Sequence, residues 1–284
     1  MSAVIEARNL AKSYGKFQAL KGVSFSIPLG RIVGVIGSNG AGKTTMLNAV
    51  LGLTSFDGDL KVMGRNPLSD RARLMEDVCF ISDVATLPRW MKVSEVIDYV
   101  EEVHPRFDRE KCLDYLTRTT VPLDKKVKGL SKGMVTQVHL ALVMSIDARL
   151  LVLDEPTLGL DIIFRKNFYS NLLEDYFDNG RTIVVTTHQV EEIEHILTDV
   201  IFIRDGDIVL NESMEKLAET CFEVRVPADK VDEAKALDPI HSTKSLGETT
   251  FVYEGVAREK LEALGPVKLV GLADLFVAKM TGEK

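Results

Sequence analysis

Apolar and polar positions alternate along residues 4–10 and again along 23–27, around a turn-prone Ser13-Tyr14-Gly15, which predicts two antiparallel strands. Pro28-Leu29-Gly30 then punctuates the chain. Ile32-Val33-Gly34-Val35-Ile36 follows as a short, nearly all-apolar run, the pattern of a strand buried on both faces of a parallel sheet. Residues 44–51 read as a helix directly after it. Between about 85 and 145 the period changes: Val93, Val96, Ile97 and Val100 recur at helical spacing, as do Leu113 and Leu116 behind Asp108, a suitable N-cap. This predicts a helical insertion between two sheet-forming regions. Strand patterns return at 150–153, 182–187 and 200–203, and the last meets 207–210 across Asp205-Gly206, a two-residue hairpin turn. Residues 164–177 read as a helix that closes near Asn179-Gly180. Beyond 211 the rhythm shortens, with strands expected at 222–226, 249–253 and 267–270 and helices at 229–237, 257–264 and 273–280. The expected organisation is a main α/β unit over 1–211 and a small α+β appendix over 212–284, without internal repeats.

Composition narrows the class. At 284 residues the chain has room for one large domain and an appendix. Its net charge of −7 argues against a generic nucleic-acid binder, because phosphate backbones select basic faces. No apolar run reaches the ~18 residues that span a bilayer, and residues 1–10 lack the basic-then-apolar order of a signal peptide. Any membrane role would go through a separate partner. Cys79, Cys112 and Cys221 form no CxxC and are expected to be small buried apolar residues in a reducing cytoplasm.

Chemistry enters at Gly37-Ser38-Asn39-Gly40-Ala41-Gly42-Lys43-Thr44-Thr45, which fits G-x-x-x-x-G-K-[ST] between a buried strand and a helix. Glycines let backbone N–H groups turn inward around phosphate oxygens, and the following helix adds its positive dipole end. Lys43 is expected at the β- and γ-phosphates, Thr44 on Mg²⁺ and Thr45 on the α-phosphate of ATP. Leu150-Leu151-Val152-Leu153-Asp154-Glu155 is an apolar strand that ends in two acids at the ligand-binding edge of a parallel sheet. Asp154 would organise Mg²⁺ and Glu155 would polarise the attacking water. His188, after the strand at 182–187, falls on the same edge, where an imidazole can reach the γ-phosphate and orient Glu155. His104, His139, His195 and His241 have no such setting and read as ordinary residues.

Together these residues resemble the ATP-binding cassette of ABC transporters over residues 4–211. The resemblance rests further on Leu130-Ser131-Lys132-Gly133-Met134, similar to the ABC signature, on Leu153-Asp154-Glu155-Pro156-Thr157, and on Leu158-Gly159-Leu160-Asp161 as the D-loop. It implies an α/β P-loop NTPase fold of ABC type, with a mixed, mainly parallel sheet core, an antiparallel β subdomain and a helical insertion, followed by the small α+β appendix. It implies that Tyr14 stacks on adenine and that two cassettes pack head to tail, with Ser131 and the Gly133 N–H binding the γ-phosphate in the partner's site. Asp83 stands where the family usually has the Q-loop glutamine, and is carried over as a metal-side carboxylate of different charge and reach. Lys132 replaces a common signature glycine. The overall pattern is similar to ATPases of type-2 exporters, including bacitracin-resistance and Ytr-type systems. That implies a cytoplasmic ATP-hydrolysing subunit, peripheral on the inner face of the membrane, working as a homodimer or with a related ATPase beneath transmembrane permease subunits. Trp90-Met91 is either a docking patch for such a subunit or packing within the helical insertion. The rival readings are a non-transport cassette of the iron–sulfur assembly kind and an ATP-binding regulatory module without turnover.

Overall fold

The computed structural model describes residues 3–81, 87–157, 160, 162–177, 180–245 and 248–281. Asp83 and three of the four D-loop residues, Leu158, Gly159 and Asp161, lie outside the described residues, as does Asn179. The chain opens with the hairpin of β1 (Ala3–Tyr14) and β2 (Phe17–Pro28), whose tip carries Tyr14 and Phe17. β3 (Ile32–Ile36) enters the centre of the molecule and runs into the loop before α1 (Lys43–Val50). β4 (Asp57–Val62) then pairs antiparallel with β1 and completes a three-stranded sheet in the order β2-β1-β4. The expected strands did not include β4, because Asp57-Gly58-Asp59 opens it with exposed polar residues and only Leu60 and Val62 are buried.

α2 (Arg71–Leu74) and β5 (Val78–Ile81) lead to the helical insertion of α3 (Val93–Val103), α4 (Arg109–Thr117) and α5 (Lys132–Met144). Asp108 caps α4, its side chain accepting from Lys111 N at 3.0 Å. The chain returns through β6 (Leu150–Asp154), α6 (Ile162–Asn171), β7 (Thr182–Thr187), α7 (Val190–Ile193), β8 (Asp199–Arg204) and β9 (Asp207–Ser213). These strands complete a six-stranded sheet ordered β5-β6-β7-β3-β8-β9, parallel except for β9 against β8. β3, β6 and β7 are buried at every position, as strands are when both sheet faces are covered. One face packs on the helical insertion and α6, the other on α1 and the N-terminal sheet.

α8 (Met214–Thr220) leads into the last section, in which β10 (Cys221–Val226), β11 (His241–Ser245), β12 (Glu248–Glu254) and β13 (Val267–Leu269) form an antiparallel sheet ordered β11-β12-β10-β13. α9 (Val231–Lys235) and α10 (Arg258–Glu262) cover one face, around Phe222, Val224, Phe251 and Tyr253. β11 had no sequence signal, since His241-Ser242-Thr243-Lys244-Ser245 is a polar edge strand. The final helix, α11 (Leu272–Thr281), leaves this small core. Its Leu272 and Leu275 join the main core, Phe276 meets Phe202 of β8 edge-on at 5.2 Å, and Arg204 Nη1 donates to the carbonyls of Lys279 and Met280. The Leu272 N–H donates to Glu194 Oε1 at 2.9 Å, so a residue just past α7 caps the helix start.

His139 of α5 is largely enclosed, and its Nδ1 has no hydrogen-bond partner among the described residues. Burial pushes its pKa from 6.5 down to about 4. Between those values the unfolded chain binds a proton that the folded chain refuses, so stability falls as pH drops through that window. A His139→Leu variant lacks this component. Its stability relative to the parent, read from urea midpoints, should rise by about 3 kcal/mol between pH 7 and pH 4.

Candidate functional site

The C-terminal ends of β3, β6 and β7 lie side by side, so the loops leaving them share one edge of the sheet. The loop after β3 is a cradle. Ala41 N donates to Ser38 O at 3.1 Å, and Gly42, at φ +113°, caps α1 in a conformation that side chains resist. Gly37 has a different reason: a Cβ there would meet Ile203 O at 2.5 Å, so the loop lies flat on β8 only with glycine. The β8–β9 turn supports it from outside, Gly206 N donating to Ala41 O at 3.0 Å. Asp205 and Gly206 both have positive φ, as a tight hairpin needs.

Lys43 starts α1 and is buried. Its Nζ donates to Gly37 O at 2.6 Å and to Ser38 O at 3.2 Å, which folds the loop around its own ammonium. Burial lowers the Lys43 pKa, and the carboxylates of Glu155 and Asp154 pull it partly back. Thr44 Oγ1 donates to Asp154 Oδ2 at 3.0 Å, bringing the hydroxyl and the carboxylate together across the gap between β3 and β6. Asp154 Oδ1 accepts from the hydroxyl of Thr186 on β7, so the carboxylate is oriented both from α1 and from the neighbouring strand.

Glu155 follows at φ +47°, an unusual backbone state for a glutamate. Its N–H is held by Thr186 O at 3.2 Å and Thr186 Oγ1 at 3.1 Å. That strain turns the side chain toward the cleft, where Oε2 lies 2.9 Å from His188 Nδ1. Thr186 thus ties Asp154 and Glu155 to β7, a role with no motif in the sequence to reveal it.

These groups line one cleft of about 580 Å³, walled by Tyr14, Ser38, Asn39, Gly40, Gly42, Lys43, Thr44, Thr45, Asp154, Glu155 and His188. Gly37 and Ala41 belong to the same loop but do not line the cleft. Phe17, 60% exposed, also lines the cleft beside Tyr14. The strand pattern gave no reason to single it out, although an exposed aromatic opposite another across a hairpin tip is a signal that could have done so. Ser131 and Gly133 are not in this wall. Ser131 caps α5, accepting from Met134 N at 3.2 Å, and Gly133 sits in the first turn with open space where a Cβ would be. Trp90 is 72% exposed, whereas Met91 packs partly on the main core. The three cysteines are free and buried.

The chemistry of the cleft is that of a polyphosphate site. It offers the backbone of a glycine-rich loop, one ammonium, a hydroxyl–carboxylate pair of hard oxygens suited to Mg²⁺, and a carboxylate bonded to an imidazole.

Comparisons with known proteins agree with this geometry. Residues 20–158 match the family model described as ABC transporter. The Nod factor export ATP-binding protein I of Cupriavidus metallidurans is 30% identical over 311 residues, covering 100% of this chain and 99% of that protein. The SkfA peptide export ATP-binding protein SkfE of Bacillus subtilis is 34% identical over 212 residues, 72% of this chain and 87% of that protein. YtrB of the same organism, an ABC transporter ATP-binding protein, is 26% identical over 226 residues, 80% of this chain and 77% of that protein. Among solved structures, the ATP binding subunit of an ABC transporter superposes with a TM-score of 0.69 at 20% identity, over 75% of this chain and 91% of that one. A dimeric ATP-binding cassette in a post-hydrolysis state, bound to ADP and Pi, gives a TM-score of 0.63 at 23% identity, over 74% of this chain and 98% of that one.

Proposed function

Because the chain belongs to the ATP-binding cassette family of transporter ATP-binding proteins, we propose that it binds and hydrolyses MgATP and couples that cycle to export through separate transmembrane permease subunits. The observation that carries this reading is the cleft itself, in which Lys43, Thr44, Asp154, Glu155 and His188 converge from three adjacent strand ends. No helix among the described residues is long and apolar enough to cross a membrane, which fits a translocation path supplied by a partner.

In this reading the amides of residues 37–45 and the Lys43 ammonium bind the phosphates, and Tyr14 takes the adenine face. Thr44 and Asp154 hold Mg²⁺, which supplies charge neutralisation at the phosphoryl group when bound. Glu155 accepts a proton from the attacking water while His188 keeps the carboxylate turned toward it. Ser131 and Gly133, at the start of a 13-residue helix and outside the lining of this cleft, serve the site of a second cassette, either another copy or a related subunit. Asp83 belongs to the metal side of this proposal. The protein then sits at the inner membrane face through Trp90 and its surroundings. Export follows the relatives, which are ATP-binding proteins of Nod factor export and of peptide export; the cargo of this system is set by its permease.

The test is phosphate release from ATP by the purified protein, with Mg²⁺ and with EDTA, alone and with its permease in proteoliposomes. Turnover that needs Mg²⁺ and rises with the permease is the expected result. Turnover blind to the permease favours the non-transport cassette, and nucleotide binding without turnover in either setting favours the regulatory module.

A further inference from the structure

Arg165 of α6 does not line the nucleotide cleft, yet it bonds to both loops that carry the Glu155–His188 pair. Its Nε donates to Leu160 O at 2.8 Å, at the end of the loop that leaves β6 through Glu155. Its Nη1 donates to the side-chain oxygen of Gln189, the residue after His188, and to Glu192 Oε1 at 2.8 Å on α7. Gln189 is itself fixed, its N–H donating to Thr187 Oγ1 at 2.9 Å, and Glu192 N donates back to Gln189 O at 3.2 Å. One planar guanidinium therefore closes a ring between the segment after β6 and the segment after β7, outside the cleft. Thr186 closes the same ring from inside.

His188 needs such support. Its side chain is 47% exposed, and among the described residues Glu155 is its one hydrogen-bond partner. Its placement therefore depends on where the backbone of 187–189 is held. The Arg165 and Glu192 side chains are only 20% and 27% exposed, so their contact loses less strength to solvent than a surface pair. The planar fork of arginine presents donors to two loops at once, whereas a lysine presents a point charge that can serve one.

We propose that Arg165 is a positioning residue for hydrolysis: it locks the loop bearing His188 onto the loop bearing Glu155 and so sets the contact between them. This rests on the hydrolytic reading of the cleft, but it has a consequence that needs no turnover. In nucleotide-free protein labelled with ¹⁵N-histidine, the His188 imidazole should show one tautomer, fixed by Glu155 at Nδ1. In Arg165→Lys and Arg165→Met its signals should move toward those of a free, averaging ring, while those of His104 and His241 stay in place. In steady state the same variants should lose about tenfold in kcat, the scale of a displaced catalytic contact, with KM for ATP within about twofold of the parent because the phosphate cradle is untouched. Gln189→Ala removes one neutral partner and keeps the Arg165–Glu192 pair, so it should fold normally and show both changes to a smaller degree. An unshifted His188 signal in folded variants overturns the proposal, as does a loss that falls on KM. Should the parent fail to hydrolyse ATP both alone and with its permease, the functional reading falls, and the imidazole spectra still decide whether Arg165 holds the pair.

Discussion

Glu155→Gln is expected to lower phosphate release from MgATP by about 10²- to 10⁴-fold, the range in which a positioned general base acts, without weakening ATP binding. The substitution keeps the length and planarity of the side chain, and an amide oxygen can still meet His188 Nδ1 at the observed 2.9 Å. What it removes is the capacity to take a proton from water. The protein should then bind ATP and stop before hydrolysis. If two cassettes close around nucleotide, the stalled form accumulates as a dimer. A sizing column run in ATP should show the variant at twice the mass of the parent, which keeps consuming its nucleotide and reopening. Turnover that survives in Glu155→Gln would remove the base assignment and pass the water-activating task to another group. Loss of turnover without ATP-dependent association would leave Glu155 in place and argue against the two-cassette cycle.

The second large effect falls on binding. Lys43→Ala should weaken ATP by about 2–5 kcal/mol, the cost of truncating one member of a buried charge pair, a drop of tens- to thousands-fold measurable by calorimetry. The fold should not suffer in parallel. The ammonium is buried against two neutral carbonyls of its own loop, and burial lowers its pKa, so it is held at an energetic cost. Removing it is expected to leave the melting temperature unchanged or slightly raised. A matched loss of affinity and stability would instead mark Lys43 as a structural strut of the loop.

Both residues were legible from the sequence because each sits in a pattern whose chemistry is local: a lysine after a glycine-rich turn, an acid at the end of an unbroken apolar strand. The same locality explains why the parallel core was readable, since β3, β6 and β7 are buried at every position and carry no competing alternation. What stayed hidden depends on neighbours distant in the chain. Thr186 looks like one more β-branched strand residue until β7 is placed beside β6. Arg165 looks like a helix-surface charge until α6 is set against α7, and Phe17 looks like any exposed aromatic until the hairpin tip is laid over the cradle. β11 is polar throughout and is a strand only because β12 offers it an edge. The sequence also shows a change of character near residue 211, but not that α11 would cross back to the main core, since Leu272 and Leu275 have the same helical spacing whichever core receives them.

That return of α11 bears on how the protein is made. Ribosomes deliver the cradle, the central strands and the loops of Glu155 and His188 well before residues 272–281, the helix that buries Leu272 and Leu275 against the main core and caps itself on Glu194. A nascent chain paused between β9 and α11 therefore carries the whole cleft over an uncovered apolar patch, the kind of surface that chaperones hold and that aggregates form on. Emergence of α11, rather than completion of the cradle, is therefore the step that covers this patch.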